Sequence, residues 1–503
     1  MILRTKPYGA KVRLKFSIIV NFIMRFLSLF AGLLFTVSVT RRLSVREFGI
    51  WVMLFKYVNY VLPFAAVFTY WLPRTISRGF NTAKSGVFLS ILLGLTSSVI
   101  YLFISWGAYM FFNQPFTILL LAAVIVLQEY LYRGLLYIAL SHAPQYRGIS
   151  MFTIRTVQAV SALLLVVLLK LGLYGAVIAA IVGRSCGLLL LFVVNKEILS
   201  KSVLDFGVVK KWIKRSWLPL YSKIVLMLTS LDAIIIRIIA GNETPIAYYG
   251  VSTSILGIAT TSIYFSPALY ARLLAKRDVR DVVEAFWLSY LLLTPMIIGI
   301  IIYAEPILAV YNIKYVVIAW VVRVFALAAF FQAFSTLLAT VIGGLERRDM
   351  VKDVDLRETV LFKMPTLRLA IVALYLIVLS LSSFLLRESE LLITLCWSLA
   401  YLLRFLLEIV FYNNLLMKEF RIRLPYNTFA KFTFKFLIAS IPIIVLPMVY
   451  KVEPHVSIWD TLENLLPAIL IAGVSYFSIL YLIDHKFRDL VGRSLRFIQE
   501  ISK

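Results

Sequence analysis

Charge is scarce in this sequence, and cysteine and histidine are almost missing. Asp, Glu, Lys and Arg together supply 15% of the 503 residues, against about 25% in soluble domains. That shortfall argues against packed soluble domains, and against a disordered chain, which would be rich in charge. The two cysteines, Cys186 and Cys396, both fall in apolar stretches and make no disulfide framework. His142, His455 and His485 are scattered and lack metal-ligand spacing. There is no Gly-x-x-x-x-Gly-Lys-Ser/Thr loop for nucleotide phosphates, no His-Glu-x-x-His and no Gly-x-Ser-x-Gly. No extramembrane segment is large enough to house a catalytic domain. The chain therefore reads as a non-enzyme with no catalytic residue, metal or cofactor.

What is abundant is apolar sequence, at 61% of residues. A spanning helix needs about 20 mostly apolar residues. Fourteen stretches meet that need: 16–39, 48–71, 87–112, 116–140, 150–170, 173–195, 217–239, 246–270, 282–303, 316–343, 366–386, 391–416, 430–450 and 460–484. The fold class is all-α, a polytopic membrane protein. Pro63 interrupts the second stretch, and Pro442 and Pro447 the thirteenth. The first apolar run is long enough to span and has no small-residue cleavage site after it, so no cleavable signal peptide is expected.

The net charge is +26, from 51 Lys and Arg against 25 Asp and Glu. The bases lie between apolar stretches, so topology explains them better than nucleic acid does. The N-terminus has Arg4, Lys6, Lys11, Arg13 and Lys15, and the loop after the sixth span has Lys196, Lys201, Lys210, Lys211, Lys214 and Arg215. Alternate loops are nearly bare of cations. Both termini are thus expected in the cytoplasm of a cell-membrane protein that works as a monomer. One loop disagrees, because Arg41, Arg42 and Arg46 follow the first span on the expected outer side.

Short strings repeat about 200 positions apart. Ser28-Leu-Phe-Ala31 in the first span matches Ser230-Leu-Asp-Ala233 in the seventh, and Glu47-Phe-Gly-Ile50 matches Tyr248-Tyr-Gly-Val251. A shared offset across six helices indicates a duplicated six-helix unit. An even number gives parallel repeats about an axis along the membrane normal, with a cleft between two bundles. The expected divisions are 1–200 for one lobe, 201–423 for the second, and 424–503 for helices thirteen and fourteen with the tail.

Ionisable residues inside spans cost at least about 2.5–3.5 kcal/mol each on insertion scales, and they usually face a bundle interior or a wet cavity. Here they are Arg25, Lys56, Glu129, Arg133, Arg155, Arg184, Lys223, Asp232, Arg237, Arg323, Arg404 and Glu408. Glu129 with Arg133 and Arg404 with Glu408 are four apart and suit pairing on one helix face. Lys56, Arg155 and Arg184 suit snorkelling toward span ends. Arg25 has no acid within helical reach and has Asn21 one turn before it; Lys223 takes the Asn21 position in the second half. Cations in such a cleft suit a polyanion such as pyrophosphate or an acidic sugar. Arg25, Asn21, Lys223, Arg237 and Arg323 are the substrate-binding candidates. Asp232, Glu129 and Glu408 are candidates for coupling to H⁺ or Na⁺. Tyr57, Tyr60, Tyr248, Tyr249 and Tyr264 are available to stack on sugar rings.

Thr40-Arg41-Arg42-Leu43-Ser44 running into Glu47-Phe48-Gly49-Ile50-Trp51, and Leu231-Asp232 followed by Ile246-Ala247-Tyr248-Tyr249-Gly250-Val251, resemble the polysaccharide-biosynthesis (Wzx-like) flippases of the multidrug/oligosaccharidyl-lipid/polysaccharide exporter superfamily. The resemblance covers nearly the whole chain, and it accounts for the discordant first-loop arginines as part of the family pattern. It implies flipping of a polyprenyl-pyrophosphate-linked oligosaccharide by alternating access, with helices thirteen and fourteen holding the lipid tail. Arg25 stands where the drug-exporting branch often has an acid. No Arg-Ser-Gly string like that of the lipid II branch is present. The alternatives are an ion-coupled multidrug antiporter of the same fold and a membrane glycan ligase or polymerase.

Overall fold

The computed structural model describes residues 14–261, 279–346 and 355–501. Arg4, Lys6, Lys11, Arg13 and Tyr264 lie outside them, as does the end of the eighth apolar stretch. Among the described residues the regular structure is helical, and twelve helices are long and apolar enough to cross a membrane. They match twelve of the fourteen expected stretches. The seventh stretch is instead two shorter helices, and the eighth runs as a helix over Thr244–Ala259 before leaving the described residues.

The chain folds into two compact units, 1–250 and 251–503. The first contains α1 (Leu14–Arg42), α2 (Val45–Val61), α3 (Ala66–Thr69), α4 (Leu72–Ser77), α5 (Ala83–Phe112), α6 (Phe116–Ala139), α7 (Tyr146–Ala162), α8 (Gly172–Lys201), α9 (Phe206–Arg215), α10 (Trp217–Leu228) and α11 (Leu231–Ala240). It ends within α12 (Thr244–Ala259). Packing thus keeps residues 201–250 with the first unit, whereas the repeat in the sequence places them in the second lobe.

Local chemistry sets the boundaries. The Ser44 hydroxyl accepts from the Glu47 amide at 3.2 Å, and the Glu47 carboxylate accepts from the Ser44 amide at 2.8 Å. This capping box satisfies two orphan donors and starts α2 directly behind α1. Pro63 lacks the amide an α-helix needs, so α2 gives way to a 3₁₀ turn over Leu62–Ala65. The Tyr130 hydroxyl from α6 donates to the Val61 carbonyl beside that break.

Without water or a hydrophobic drive between helices, spans associate through small residues and side-chain hydrogen bonds. Gly183 of α8 lies so close to α7 that a Cβ there would sit 2.7 Å from the Ile154 carbonyl oxygen. Gln128 of α6 donates to the Ser185 hydroxyl at 2.9 Å, and Asn195 of α8 to the Leu135 carbonyl at 2.9 Å.

The second unit holds α13 (Val279–Ile302), α14 (Ala304–Tyr311), α15 (Ala319–Leu345), α16 (Val360–Leu385), α17 (Glu390–Phe420), α18 (Tyr426–Ala439), α19 (Ile441–Val449), α20 (Ile458–Ile483) and α21 (His485–Ile501). The thirteenth stretch is broken at Ser440, between α18 and α19, with Pro442 in the first turn of the new helix; Pro447 lies inside α19 and does not interrupt it. These late helices pack on α13. Phe286 stacks on Phe429 with ring centres 4.3 Å apart, and the Tyr476 hydroxyl donates to the Leu291 carbonyl at 2.8 Å.

Two predictions follow from this packing. Gly183→Val should destabilise the protein by about 1–3 kcal/mol through overpacking, read as a lower unfolding temperature in detergent; an unchanged temperature would refute the close α7–α8 contact. His142, in the turn between α6 and α7, bonds through Nε2 to the Asn195 Oδ1 at 2.9 Å. Desolvation lowers its pKa from the ordinary value of 6.5, against the opposing pull of that hydrogen bond. The unfolded chain then binds a proton the folded chain resists, so stability is full above about pH 6.5 and falls as pH drops toward the lower folded value. Thermal unfolding at pH 7.5 and 5.5 should show this loss, and His142→Gln should flatten it.

Candidate functional site

The seventh span breaks at Thr229–Ser230. Amides there bond three residues back, Thr229 to the Leu226 carbonyl at 3.3 Å and Ser230 to Met227 at 2.8 Å, which tightens the helix and stops it. The Tyr60 hydroxyl of α2 donates to the Ser230 carbonyl at 2.6 Å. A side chain entering the ladder in this way is a recognised cause of a sharp helix break. Two residues later Asp232 opens α11, buried at 3% exposure. The Lys56 ammonium of α2 meets its Oδ1 at 2.9 Å and lies 4.6 Å from the centre of the Tyr249 ring. A discontinuous span with a charge at the break is where transporter folds place ion and substrate sites.

A second node lies at the far end of α11. Glu243 is 1% exposed and takes Arg237 at 2.8 Å and Arg46 at 3.3 Å. Gln114 donates to its Oε1 at 3.3 Å and accepts from the Tyr57 hydroxyl at 3.1 Å. Arg237 also donates to the Phe112 carbonyl at 3.1 Å, where α5 ends and a cation complements the helix dipole. This node supplies a partner for Arg46, one of the three arginines on the discordant loop. Gly49 makes it possible: a Cβ there would stand 2.3 Å from the Glu243 carbonyl oxygen.

The third cluster is interior to the first unit. Glu129 of α6 meets Arg133 at 3.4 Å and Arg184 of α8 at 3.3 Å. Arg155 of α7 donates to Gln158 at 3.3 Å and lies within electrostatic reach of Arg184 and Glu129. Arg184 sits 5.4 Å from the centre of the Phe55 ring, and the Arg155 stem runs past Gly32 of α1. Among the described residues no second carboxylate pairs with these arginines, so three guanidinium groups share one carboxylate.

The second unit repeats this chemistry in a sealed form. Glu408 of α17 is 1% exposed and takes Arg404 at 3.2 Å, Arg368 of α16 at 3.7 Å and the Ser335 hydroxyl of α15 at 2.5 Å. Arg368 also donates to the Tyr412 hydroxyl at 2.9 Å, and Arg404 faces Tyr375, Tyr401 and Phe405.

The candidates therefore fall in different places. Asp232, Glu129, Glu408 and Arg237 each sit in one of these clusters. Arg323 pairs with Glu305 at 3.0 Å and donates to the Ile301 carbonyl at 3.1 Å, close to the α13–α14 corner. Asn21 is engaged by backbone: its Oδ1 accepts from the Gly148 amide at 2.6 Å and its Nδ2 donates to the Pro144 carbonyl at 3.0 Å, which ties α1 to the start of α7. Arg25 is half-buried on α1 and Lys223 exposed on α10. By position alone Lys56, Arg155 and Arg184 suit snorkelling, and nothing in the spacing around Glu243 marks it out. Lys56 meets Asp232 176 positions away and Arg184 meets Glu129 55 positions away, beyond any helical spacing rule, whereas the Gln158 acceptor of Arg155 lies three residues on along its own helix; for Glu243 the signal in the sequence is three arginines on a loop where none is expected.

No family model matches the sequence, and no curated protein does. Solved structures do. A structure described as lipid II flippase MurJ in an inward closed conformation superposes with a TM-score of 0.65 at 14% identity, covering 95% of this chain and 99% of that one. An inward-facing multidrug resistance MATE family transporter of the MOP superfamily gives 0.57 at 12% identity, over 80% of this chain and 98% of that one. A MATE in complex with MaL6 gives 0.56 at 14% identity, over 83% and 98%. The chain shares the fold of these structures. At these identities the likeness extends to fold alone, and the charged clusters have to speak for themselves.

Breaking a buried pair leaves one charge unanswered, at about 3–5 kcal/mol. Lys56→Met should lower the unfolding temperature markedly, and adding Asp232→Leu should restore most of it. A single variant as stable as the parent would show that the pair does not hold α2 to α11.

Proposed function

We propose that this chain flips a polyprenyl-(pyro)phosphate-linked oligosaccharide across the cytoplasmic membrane by alternating access, with both termini in the cytoplasm. The observation that supports it most is the arginine excess around Glu129. One carboxylate neutralises one guanidinium, and the remaining two offer forked donors suited to phosphate oxygens. Holding such a surplus within the spans is costly, and an anionic headgroup passing through would offset it. Arg133, Arg155 and Arg184 join Arg25 and Lys223 as groups to read the anion in this proposal. Asp232 is the favoured coupling acid, because protonating it would release Lys56 beside the break in the seventh span. The chain acts as a carrier and makes or breaks no bond in its cargo.

A second reading is an ion-coupled multidrug antiporter. Buried Asp232 and the MATE likenesses favour it. The arginine excess opposes it, because cationic drugs would be repelled.

Reconstitution into liposomes with a fluorescent lipid-linked oligosaccharide, read by headgroup accessibility, separates the two. Arg155→Ala with Arg184→Ala should slow flipping by about 10- to 100-fold, the worth of one or two charge-assisted hydrogen bonds. Arg25→Ala should do likewise, and lysine at these positions should restore part of the rate. Full flipping by the double alanine variant, or transport of a cationic dye in place of the lipid, would overturn the proposal.

A further inference from the structure

The helix α9 presents three distinct sectors around its axis. It is ten residues long, about 15 Å. Val208, Val209 and Trp212 are buried against the unit. At 100° per residue the next sector holds Phe206 and Ile213, which are apolar yet 62% and 52% exposed. Between these two sectors lies an arc of Lys210, Lys211, Lys214 and Arg215, all exposed.

The helix is fixed at both ends. Asp205 caps it, accepting from the Gly207 amide at 2.8 Å, and the Asp205 amide donates to the Ser85 hydroxyl at 2.9 Å at the start of α5. Ser216, just past its end, donates to the Val67 carbonyl at 3.2 Å and accepts from the Trp71 indole at 3.1 Å. Positive-inside topology explains cations in this loop. It does not explain why they are set rigidly beside an outward apolar strip.

That combination is the signature of a helix lying in the membrane interface, apolar side in the acyl boundary and basic side among headgroups. We propose that α9 is such an in-plane helix and that its basic arc binds anionic phospholipid headgroups. Charge complementarity selects the occupant, since four cations on 15 Å of helix with no acid between them suit a surface of phosphodiesters. The assignment stands whether or not the chain moves glycolipid, because none of these residues belongs to the clusters above.

The test uses the full chain with Cys186→Ala and Cys396→Ala, carrying Ile213→Cys or Lys211→Cys with a nitroxide label. It is placed in liposomes of phosphatidylcholine alone or of equal phosphatidylcholine and phosphatidylglycerol. The label at 213 should be open to oxygen and shielded from a water-soluble nickel chelate, and the label at 211 should show the reverse. Phosphatidylglycerol should immobilise the label at 211, and 0.5 M salt should reverse that. Neutralising Lys210, Lys214 and Arg215 to Gln should weaken the phosphatidylglycerol response by about fivefold per charge, the worth of one surface cation. Chelate access at 213, or shielding from both reagents as under a protein segment, would overturn the in-plane placement. Equal behaviour in the two lipids would overturn the anionic preference.

Discussion

A charge carried into a bilayer has to be answered by another close at hand, and the rest of this structure is arranged around that requirement. Asp232, Glu243, Glu129 and Glu408 all lie within or beside spans, and each has a cation within 3.3 Å. With 51 bases to 25 acids the acids are the limiting partner. Three of these carboxylates are shared, Glu129 between Arg133 and Arg184, Glu243 between Arg237 and Arg46, and Glu408 between Arg404 and Arg368. Aromatic rings take up part of what remains, since a guanidinium over a ring face is stabilised where water is missing. Arg404, Arg184 and Arg237 all lie over aromatic rings.

The breaks in the spans serve the same end. An interrupted helix frees carbonyls, and in lipid these must find donors. Tyr130 meets Val61 and Tyr60 meets Ser230, so these two interruptions are closed by tyrosine hydroxyls from neighbouring spans. The second of these leaves Asp232 in the first turn of a new helix, where the dipole favours a negative charge. The short strings that suggested a family prove to be scaffold. Ser44 and Glu47 form the capping box, and Gly49 admits the Glu243 backbone. Gly250, at the matching place in the repeat, lies against Val52 and Phe48. The two related strings thus pack on each other and hold α12 to α2.

Much of this was legible in the residues. Twelve apolar stretches became single spans because length and hydropathy are local properties. Pro63 and Pro442 marked real interruptions, because a missing amide acts wherever it stands. Glu129 with Arg133 and Arg404 with Glu408 were visible because four residues make a helical turn. The seventh span was not legible as two helices, since Thr229–Ser230 contains no proline or glycine and the break depends on Tyr60, 170 positions earlier. Lys56 looked like a snorkelling residue for the same reason. Asn21 looked like a lining residue, but its amide fits the Gly148 and Pro144 backbone, a match that appears only once α1 and α7 are side by side.

The two arginine–carboxylate clusters differ in how far they are closed, and that difference bears on their use. Around Glu408 the charges balance almost within reach: two guanidinium groups, one carboxylate, a serine hydroxyl and a wall of tyrosines, with Arg404 8% exposed. Such an arrangement is dehydrated and rigid, and it gains nothing from a further anion. Around Glu129 the excess is larger and the enclosure weaker, with the Arg133 side chain 38% exposed and Glu129 21%. A partly solvated guanidinium keeps water that an incoming phosphate oxygen can replace at less cost than opening a sealed network would demand. Of two clusters built from the same residue types, the one on α6, α7 and α8 is the one whose electrostatics an anionic cargo would improve.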